Sequence, residues 1–302
     1  MDRRERWGIC VLLPVAAAWL MLAARLPWRT AVGGMAQAET VAAFTAEVVK
    51  ETPPPTPSPS PEITPTPTPT DGTEPAFHVE VVRETAPPQP WAGKRVLIYH
   101  SHTWEAYEQT PEDPYQPTEK WRTKDERHNM LAVGDALAAH LRALGLIVVH
   151  DRTAFEPPDL DGAYARSLAM LEGRIAAGER YDLYIDLHRD ALSSQSTIRR
   201  TVVVGGVESA RFMVLIGKGT TGGYAEKPEW EKNLMIAERI TQGLEEQGAG
   251  LSREVKIKTG RFNQHVAPCC VLIECGVNTN TLEQVMNGLP YLAQAIAQAL
   301  AE

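Results

Sequence analysis

The sequence predicts an α/β protein, a three-layer open mixed sheet with helices on both faces, preceded by one N-terminal transmembrane helix. From about Trp91 onward, short aliphatic runs alternate with long amphipathic stretches, which is typical of α/β domains. The second observation is an uncharged run near the N-terminus, and the third is a proline-rich stretch between that run and Trp91. We therefore divide the chain into a membrane anchor (1–30), a Pro/Thr-rich extracytoplasmic linker (31–91) and one folded domain (92–302).

The N-terminal segment has the features of a membrane anchor. Its uncharged run, residues 8–24, is 17 residues long, which is near the lower limit for a helix that crosses a bilayer. Arg3, Arg4 and Arg6 precede the run and favour a cytoplasmic N-terminus. We therefore expect a single-pass protein of the cell membrane whose folded domain is extracytoplasmic. A cleaved signal peptide is the alternative, because the small residues at 36–38 resemble a processing site.

Residues 51–70 form a low-complexity stretch that is rich in proline and threonine. Nine prolines in this stretch remove backbone hydrogen-bond donors and favour extended polyproline II structure. A segment of this composition acts as a semi-rigid spacer. We expect it to hold the folded domain away from the membrane surface.

The overall composition limits the classes of function. With 43% hydrophobic and 23% charged residues, the chain is globular rather than disordered. Its net charge of -8 lacks the basic excess that binding to a phosphate backbone requires, so nucleic acid is not an expected partner. Cys269, Cys270 and Cys275 cluster without CxxC spacing and are expected to be buried thiols. Neither a disulfide framework nor a thiolate metal site is predicted.

Hydrophobic patterning predicts the elements of the folded domain. Strands buried on both faces are expected at continuous aliphatic runs such as RVLIY and LIVVH, and helices where apolar residues recur at helical spacing. Pro228 suits the first turn of a helix. In chain order the elements are a strand at 95–99, a helix at 129–144, a strand at 146–150, a helix at 162–177, strands at 181–187 and 211–216, a helix at 228–247, a strand at 271–274 and a helix at 289–301.

Side chains that bind metals follow two of the predicted strands. His102 and Glu105 come after RVLIY at an H-x-x-E spacing, which lets an imidazole nitrogen and a carboxylate oxygen converge on one cation. His188 ends the run YDLYIDLH, and ligand sites of open α/β sheets lie at the carboxyl ends of strands. Two histidines and one glutamate form a known catalytic zinc set. The sequence therefore predicts a Zn2+ site.

A proton acceptor and orienting groups are expected beside the metal. Glu274 ends another buried run, and partial desolvation there should raise its pKa to a value suited to a general base. Arg189 is expected to hold a substrate carboxylate or a developing oxyanion. Asp186 or Asp190 is expected to orient a ligand imidazole. Together these groups predict a metal-dependent hydrolase.

The residues alone leave the choice of ligands open. His100 competes with His102 as the first ligand, because their side chains would point the same way in an extended strand. His128, at the start of the first predicted helix, is a second alternative. Three other histidines are expected at the surface or in the linker, namely His78, His140 and His150.

Five segments occur in order between roughly residue 94 and the C-terminus, namely HSHTWEAY, NMLAVGDALAAHLRALG, YARSL, YIDLHRDAL and VLIECGVNTNTLEQ. Together they resemble the stage II sporulation protein P family. A membrane span followed by a low-complexity spacer is also similar to that family. The resemblance implies a zinc-dependent N-acetylmuramoyl-L-alanine amidase that acts on peptidoglycan, with a phosphorylase/hydrolase-like fold and a second, endopeptidase activity on cross-links.

The resemblance also implies a biological setting and partners. Members of the family act in septal wall remodelling while the mother cell engulfs the forespore. Their partners are a lytic transglycosylase, stage II sporulation protein D, and a membrane protein, stage II sporulation protein M. We expect the same partners for this chain.

The resemblance assigns roles to the matching residues. It implies that the HSHTxE segment supplies His102 and Glu105, that DLHRD supplies His188, and that Glu274 is the catalytic glutamate. The related wall amidases end a strand on their first zinc histidine, and this register selects His102 over His100. Their second ligand lies just before the first helix, which keeps Glu126 and His128 as competitors to Glu105. The sequence departs from the family at Cys275, which we expect to affect packing more than chemistry.

Two other classes of function remain as alternatives. One is an H-x-H metal hydrolase of another substrate on a (β/α)8 barrel, with both His100 and His102 on the metal, although about 210 residues is short for that fold. The other is a non-catalytic wall-binding scaffold. The presence of both the ligand set and Glu274 argues against a scaffold.

Overall fold

A six-stranded mixed sheet lies at the centre of the protein, as seen in a computed structural model that describes residues 88–193 and 195–301. The strands in these ranges are β1 (Arg95–Tyr99), β2 (Ile147–His150), β3 (Leu183–Asp190), β4 (Thr201–Val204), β5 (Val207–Ala210), β6 (Phe212–Gly217), β7 (Lys256–Lys258) and β8 (Cys270–Val277). The sheet order is β2-β1-β3-β8-β6-β7, and all neighbours are parallel except β6 and β8. Strands β4 and β5 form a separate antiparallel pair.

Helices cover both faces of this sheet. The helices of the described residues are α1 (Met130–Ala143), α2 (Ala163–Ala176), α3 (Trp230–Gln247) and α4 (Leu282–Ala299). Helices α1, α3 and α4 pack on one face and enclose the larger hydrophobic core. Helix α2 packs on the other face over a smaller apolar cluster. The predicted three-layer open mixed sheet is confirmed.

The central strands are buried on both faces, which explains their continuous aliphatic sequences. Every residue of β6 and β8 is buried, as are all residues of β3 except its last. Alternate residues face opposite layers, because successive side chains of a strand point to opposite sides of the sheet. In β1, Val96 and Ile98 face the core beneath α1, whereas Leu97 and Tyr99 face the cluster beneath α2.

An irregularity near the carboxyl ends of β3 and β8 shapes one edge of the sheet. His188 is in register with Glu274, but Asp190 is in register with Val277, so β8 carries one extra residue between these pairs. Gly276 takes part in this bulge with φ of 69°, and a Cβ there would lie 2.8 Å from Asn280 Oδ1. Glycine is therefore required at this position. Because β1, β3 and β8 are parallel, their carboxyl ends meet at the same edge.

The structure extends or adds several elements relative to the prediction. Strands β3 and β8 continue three residues beyond the predicted ends at 187 and 274, and the β4–β5 pair and β7 were not predicted. Helix α4 begins seven residues before the predicted start at 289. Thr281 caps this helix, since its side chain accepts a hydrogen bond from the Gln284 backbone N–H and the Gln284 side chain accepts one from the Thr281 backbone N–H.

The predicted anchor and nearly all of the linker, residues 1–87, lie outside the described residues. Among the helices of the described ranges, none combines the length and the apolar composition needed to cross a membrane.

Candidate metal centre

Three side chains with metal-binding atoms converge at the edge where β1 and β3 end. His102 and Glu105 lie in the segment that follows β1, and His188 lies in β3. One ligand atom from each lies within 4.8 Å of the other two. Glu105 Oε1 is 3.7 Å from His102 Nδ1, and Glu105 Oε2 is 3.4 Å from His188 Nδ1. The structure therefore brings together the three residues of the predicted H-x-x-E and strand-end motif.

The dimensions of this cluster fit a zinc ion. Zinc bonds of about 2.0–2.1 Å in tetrahedral geometry place neighbouring ligand atoms roughly 3.3 Å apart. The distances of 3.7 and 3.4 Å between Glu105 and the two imidazoles are close to that spacing. Glu105 and His188 are buried and His102 is partly exposed, so the cluster has an open side. The described residues thus contain a possible metal site with a donor set that suits zinc.

A buried network orients the His188 ring. Its Nε2 lies 2.8 Å from Asp186 Oδ1 and 2.8 Å from Ser101 Oγ. Ser101 holds the same carboxylate, because its hydroxyl donates to Asp186 Oδ2 and its backbone N–H donates to Asp186 Oδ1. With Nε2 engaged in this way, Nδ1 of His188 is the nitrogen that faces Glu105. A carboxylate on the far nitrogen of a ligand imidazole is the usual support in metal sites.

The electrostatic environment shifts the pKa values of His102 and His188 in opposite directions. Burial and the neighbouring His188 lower the pKa of His102 to about 4, so its imidazole is neutral and able to bind a metal at neutral pH. Burial alone would lower the pKa of His188, but the carboxylates of Asp186 and Glu105 outweigh that effect and raise it. Burial would raise the pKa of Glu105, whereas the contacts with His188 and Arg189 lower it to about 2. Glu105 is therefore a carboxylate at neutral pH.

Arg189 is turned towards the segment that carries Glu105. Its Nε donates to the Ala106 carbonyl at 3.1 Å, and its Nη2 donates to the Trp121 carbonyl at 3.1 Å. Its backbone N–H donates to Glu105 Oε2 at 3.2 Å, and Nη1 lies 3.9 Å from Glu105 Oε1. The side chain is buried by these contacts. The expected contact of Arg189 with a substrate carboxylate or oxyanion stays a prediction.

Glu274 lies beside the cluster on the adjacent strand. It is in register with His188 across the β3–β8 pair, so both side chains point to the α2 side of the sheet. Glu274 is buried, and its Oε2 atom has no hydrogen-bond partner among the described residues. Burial raises the pKa of Glu274 to about 8. The neighbouring His188 lowers this pKa, whereas Glu105 and Asp190 raise it. This environment has the desolvation that was expected from the sequence.

His100 lies on the opposite side of the sheet from the cluster. Its Nδ1 is 2.9 Å from the Leu187 carbonyl oxygen, and its Nε2 is 2.8 Å from His150 Nε2. The expectation that His100 and His102 point the same way is wrong, because β1 ends at Tyr99 and the chain turns before His102. The expectation that His150 is a surface or linker residue is also wrong, because its side chain is buried. Its ring is packed between His100 and Asp135.

The competing ligands lie outside the cluster. Both ring nitrogens of His128 are 2.9 Å from carboxylates, those of Asp125 and Asp113. Glu126 is exposed and pairs with Arg152 at 2.6 Å. Of the two aspartates considered for orienting a ligand, Asp186 contacts His188.

Asp190 is the last residue of β3 and forms an ion pair away from the cluster. Its Oδ2 pairs with Arg253 at 2.8 Å. Cys275 follows Glu274 but belongs to the core on the other face of the sheet, in line with the expected packing role. All three described cysteines are free thiols, with Cys270 and Cys275 buried and Cys269 half-buried.

Two residues near the cluster were not singled out from the sequence. Ser101 stands between two histidines, and Asp186, in a strand predicted to be buried, indicates that a hydrogen-bond donor lies near its carboxylate. Tyr164 of α2 places its ring 5.3 Å from the His102 ring in an edge-on contact. Nothing in the local sequence around Tyr164 indicates this contact, since it depends on how α2 packs on the sheet.

The fold and site define an α/β protein with a largely buried His-Glu-His cluster, open on the His102 side, at the carboxyl ends of parallel strands. The sequence profile of stage II sporulation protein P (SpoIIP) matches residues 57–297. The chain therefore belongs to the stage II sporulation protein P family. No curated protein sequence matches the chain.

Several solved structures resemble this chain at low sequence identity. The CwlD amidase from Clostridioides difficile, solved in complex with the GerS lipoprotein, is 16% identical, with 68% of this chain and 96% of that chain covered and a TM-score of 0.44. The N-acetylmuramoyl-L-alanine amidase AmiC2 of Nostoc punctiforme is 14% identical, with coverage of 69% and 96% and a TM-score of 0.41. The N-acetylmuramyl-L-alanine amidase Ami1 from Mycobacterium smegmatis is 18% identical, with coverage of 70% and 96% and a TM-score of 0.40.

Proposed function

We propose that this protein is a zinc-dependent N-acetylmuramoyl-L-alanine amidase that hydrolyses the amide between the muramic acid lactyl group and L-alanine in peptidoglycan. The observation that carries the proposal is the convergence of His102, Glu105 and His188 beside the buried, unpartnered carboxylate of Glu274. Membership of the stage II sporulation protein P family supports peptidoglycan as the substrate. We also propose that the fold is of the phosphorylase/hydrolase-like type.

His102, Glu105 and His188 would hold the zinc, which when bound polarises an amide carbonyl and makes water a stronger acid. Glu274 accepts the proton of the attacking water, because its Oε2 is buried, has no partner among the described residues and lies on the strand next to His188. The same carboxyl group then protonates the departing nitrogen of L-alanine. One residue thereby serves as both base and acid.

The surrounding residues position the ligands. Asp186, held by two hydrogen bonds from Ser101, fixes the orientation of the His188 ring. Arg189 acts as a positioning residue, because its guanidinium ties the backbone next to Glu105 while its backbone N–H holds the Glu105 carboxylate. Fixed ligands reduce the reorganisation that binding and catalysis would otherwise require.

The proposal includes the setting in which the enzyme acts. Membership of the family supports action during sporulation, in septal wall remodelling and engulfment. We place the folded domain outside the cytoplasm on a single-pass membrane anchor. Stage II sporulation protein D and stage II sporulation protein M are the proposed partners, and cleavage of peptide cross-links is a proposed second activity.

Metal analysis and product analysis of the purified full-length chain test the proposal together. We expect about one zinc per chain and release of peptides with a free L-alanine amino group from purified peptidoglycan, identified by mass spectrometry. Chelation should stop the release, and added zinc should restore it. Zinc binding without any cleavage would favour the scaffold alternative. Cleavage at the peptide cross-links alone would be compatible with the metal site and would indicate an endopeptidase instead of an amidase.

A further inference from the structure

A cavity of about 460 Å³ opens next to the candidate metal centre. It lies between the start of α2, the segment that joins β6 to α3 and the segment that follows β7. Its lining combines aromatic rings with two charged side chains, and the residues used below are Asp161, Tyr164, Tyr224, Arg261 and Phe262. Concave sites with a mainly apolar wall and a few polar groups are typical of ligand-binding sites.

Tyr164 forms the wall between this cavity and the metal centre. Its ring centroid lies 5.3 Å from the ring of His102 and 6.0 Å from the ring of Phe262. A single aromatic side chain thus separates the cavity from a proposed zinc ligand. A substrate whose scissile amide reaches the cluster can extend one of its two ends into the cavity.

The segment that carries Arg261 is firmly held. Asn263 is buried, and its side-chain amide donates to the Tyr164 carbonyl at 2.8 Å and to Ser167 Oγ at 3.1 Å. Gln264 bonds to the backbone of β6 at both Gly217 and Leu215. These bonds hold Phe262 and Asn263 at positive φ angles of 49° and 54°, a conformation that is uncommon for residues other than glycine.

Arg261 presents an unpaired positive charge to the cavity. Its guanidinium lies 4.2 Å from the centre of the Tyr224 ring, a cation–π contact. Within residues 88–193 and 195–301, its side chain forms no ion pair or hydrogen bond with another residue. The Tyr224 ring restricts its position while leaving its N–H groups free of partners among the described residues. A planar guanidinium of this kind suits a carboxylate ligand.

We infer that this cavity binds the stem peptide of the substrate, on the L-alanine side of the scissile amide, with Arg261 pairing with a peptide carboxylate. The inference rests on the proposed function. On the other side of that amide, the lactyl carboxyl group forms part of the amide and carries no charge. A stem peptide, by contrast, retains free carboxylates. The unpaired cation therefore selects the peptide side. Asp161, which also lines the cavity, opposes an acidic ligand and limits the affinity.

Calorimetric titration of the zinc-loaded full-length chain tests this inference with two synthetic stem peptides. One is an L-alanyl-D-glutamyl tripeptide with free carboxylates, and the other is the same peptide with every carboxylate amidated. We expect the acidic peptide to bind at least about tenfold more tightly, as a charge-assisted hydrogen bond implies. Arg261→Met should abolish this preference, Arg261→Lys should keep part of it, and Asp161→Asn should increase it.

Lys256→Met is the matched control, because it removes an exposed positive charge from β7 and does not line this cavity. It should keep the preference of the unaltered chain. Circular dichroism and zinc content should be the same in all variants. Equal binding of the two peptides to the unaltered chain, or an unchanged preference in Arg261→Met, would overturn the inference even if peptidoglycan is cleaved. A preference that depends on Arg261 in a chain that cleaves no amide would support the peptide site and reject the amidase.

Discussion

His100 and His102 are separated by one serine, yet their rings occupy different layers of the molecule. His100 continues the side of β1 that faces α1, where it contacts His150 and where Gly134 leaves room for its ring. The chain turns after β1, so His102 reaches the α2 side and meets His188 and Tyr164. Ser101, between them, binds Asp186. The geometry of this turn therefore decides which histidine can join the cluster.

The first prediction compares the two histidines by metal content. His102→Ala should lose zinc, because only Glu105 and His188 would remain as protein ligands. His100→Ala should retain about one zinc per chain, since its ring nitrogens contact Leu187 and His150. Atomic emission analysis after gel filtration is the measurement, with circular dichroism to show that both variants are folded. Loss of zinc from His100→Ala alone would show that the ligand assignment is wrong.

The second prediction concerns the proton acceptor. Glu274→Gln should retain zinc but lower amide cleavage at least about a hundredfold, because the amide cannot accept the proton and yet keeps the shape of the side chain. Peptide release from peptidoglycan and zinc content should be measured on the same sample. His188→Ala is the contrasting variant and should lose both metal and activity. Near-normal cleavage by Glu274→Gln would exclude Glu274 as the base.

At the level of secondary structure, burial determines what the sequence can predict. Strands β1, β3, β6 and β8 are recognisable as continuous aliphatic runs because both of their faces are covered. Strand β7 has three exposed residues at the edge of the sheet and carries no such run, whereas β4 has the aliphatic sequence TVVV although it is only partly buried. In α4, Pro290 stands inside the helix, although proline normally marks a helix end. The cap at Thr281 was the signal for its true start.

The third prediction tests that cap. Thr281→Ala should lower the free energy of unfolding by about 1 kcal/mol, because it leaves the Gln284 backbone N–H without its partner. Thr281→Ser should stay close to the unaltered chain, since its hydroxyl can make the same bond. Urea denaturation followed by circular dichroism measures the difference. An alanine variant as stable as the serine variant would mean that the capping box contributes little to the stability of α4.

Across the whole molecule, the site depends on contacts between residues far apart in the sequence. The parallel arrangement of β1, β3 and β8 was predictable from the aliphatic runs, and it explains why His102, His188 and Glu274 were found together. The orientation of Arg189 was not predictable, because its partners are the carbonyls of Ala106 and Trp121 in the long segment after β1. Local patterns indicate strands and helices, but they do not specify which loop covers a strand end.

One ion pair connects two layers and makes the stability of the protein depend on pH. Asp151 follows the edge strand β2, and its Oδ2 accepts a hydrogen bond from Arg174 of α2 at 2.7 Å. Burial would raise the pKa of Asp151, but the hydrogen bonds from Arg174 and Thr153 and the charge of Arg174 lower it overall. A carboxyl group whose pKa is lower in the folded state stabilises that state above its unfolded pKa of about 3.9. This contribution is lost as the pH falls through the folded pKa.

The fourth prediction follows from that sign. At pH 7, Asp151→Asn should lower the free energy of unfolding by about 1–3 kcal/mol, because the charge-assisted hydrogen bond from Arg174 is weakened. As the pH falls below the unfolded pKa of about 3.9, the difference between the two proteins should shrink, because Asp151 of the unaltered chain becomes protonated. Urea denaturation of the metal-free chain from pH 7 to about pH 2 measures this difference. Other carboxylates titrate in both proteins and cancel in the comparison, so a difference that stays constant to about pH 2 would show that Asp151 is not the group responsible.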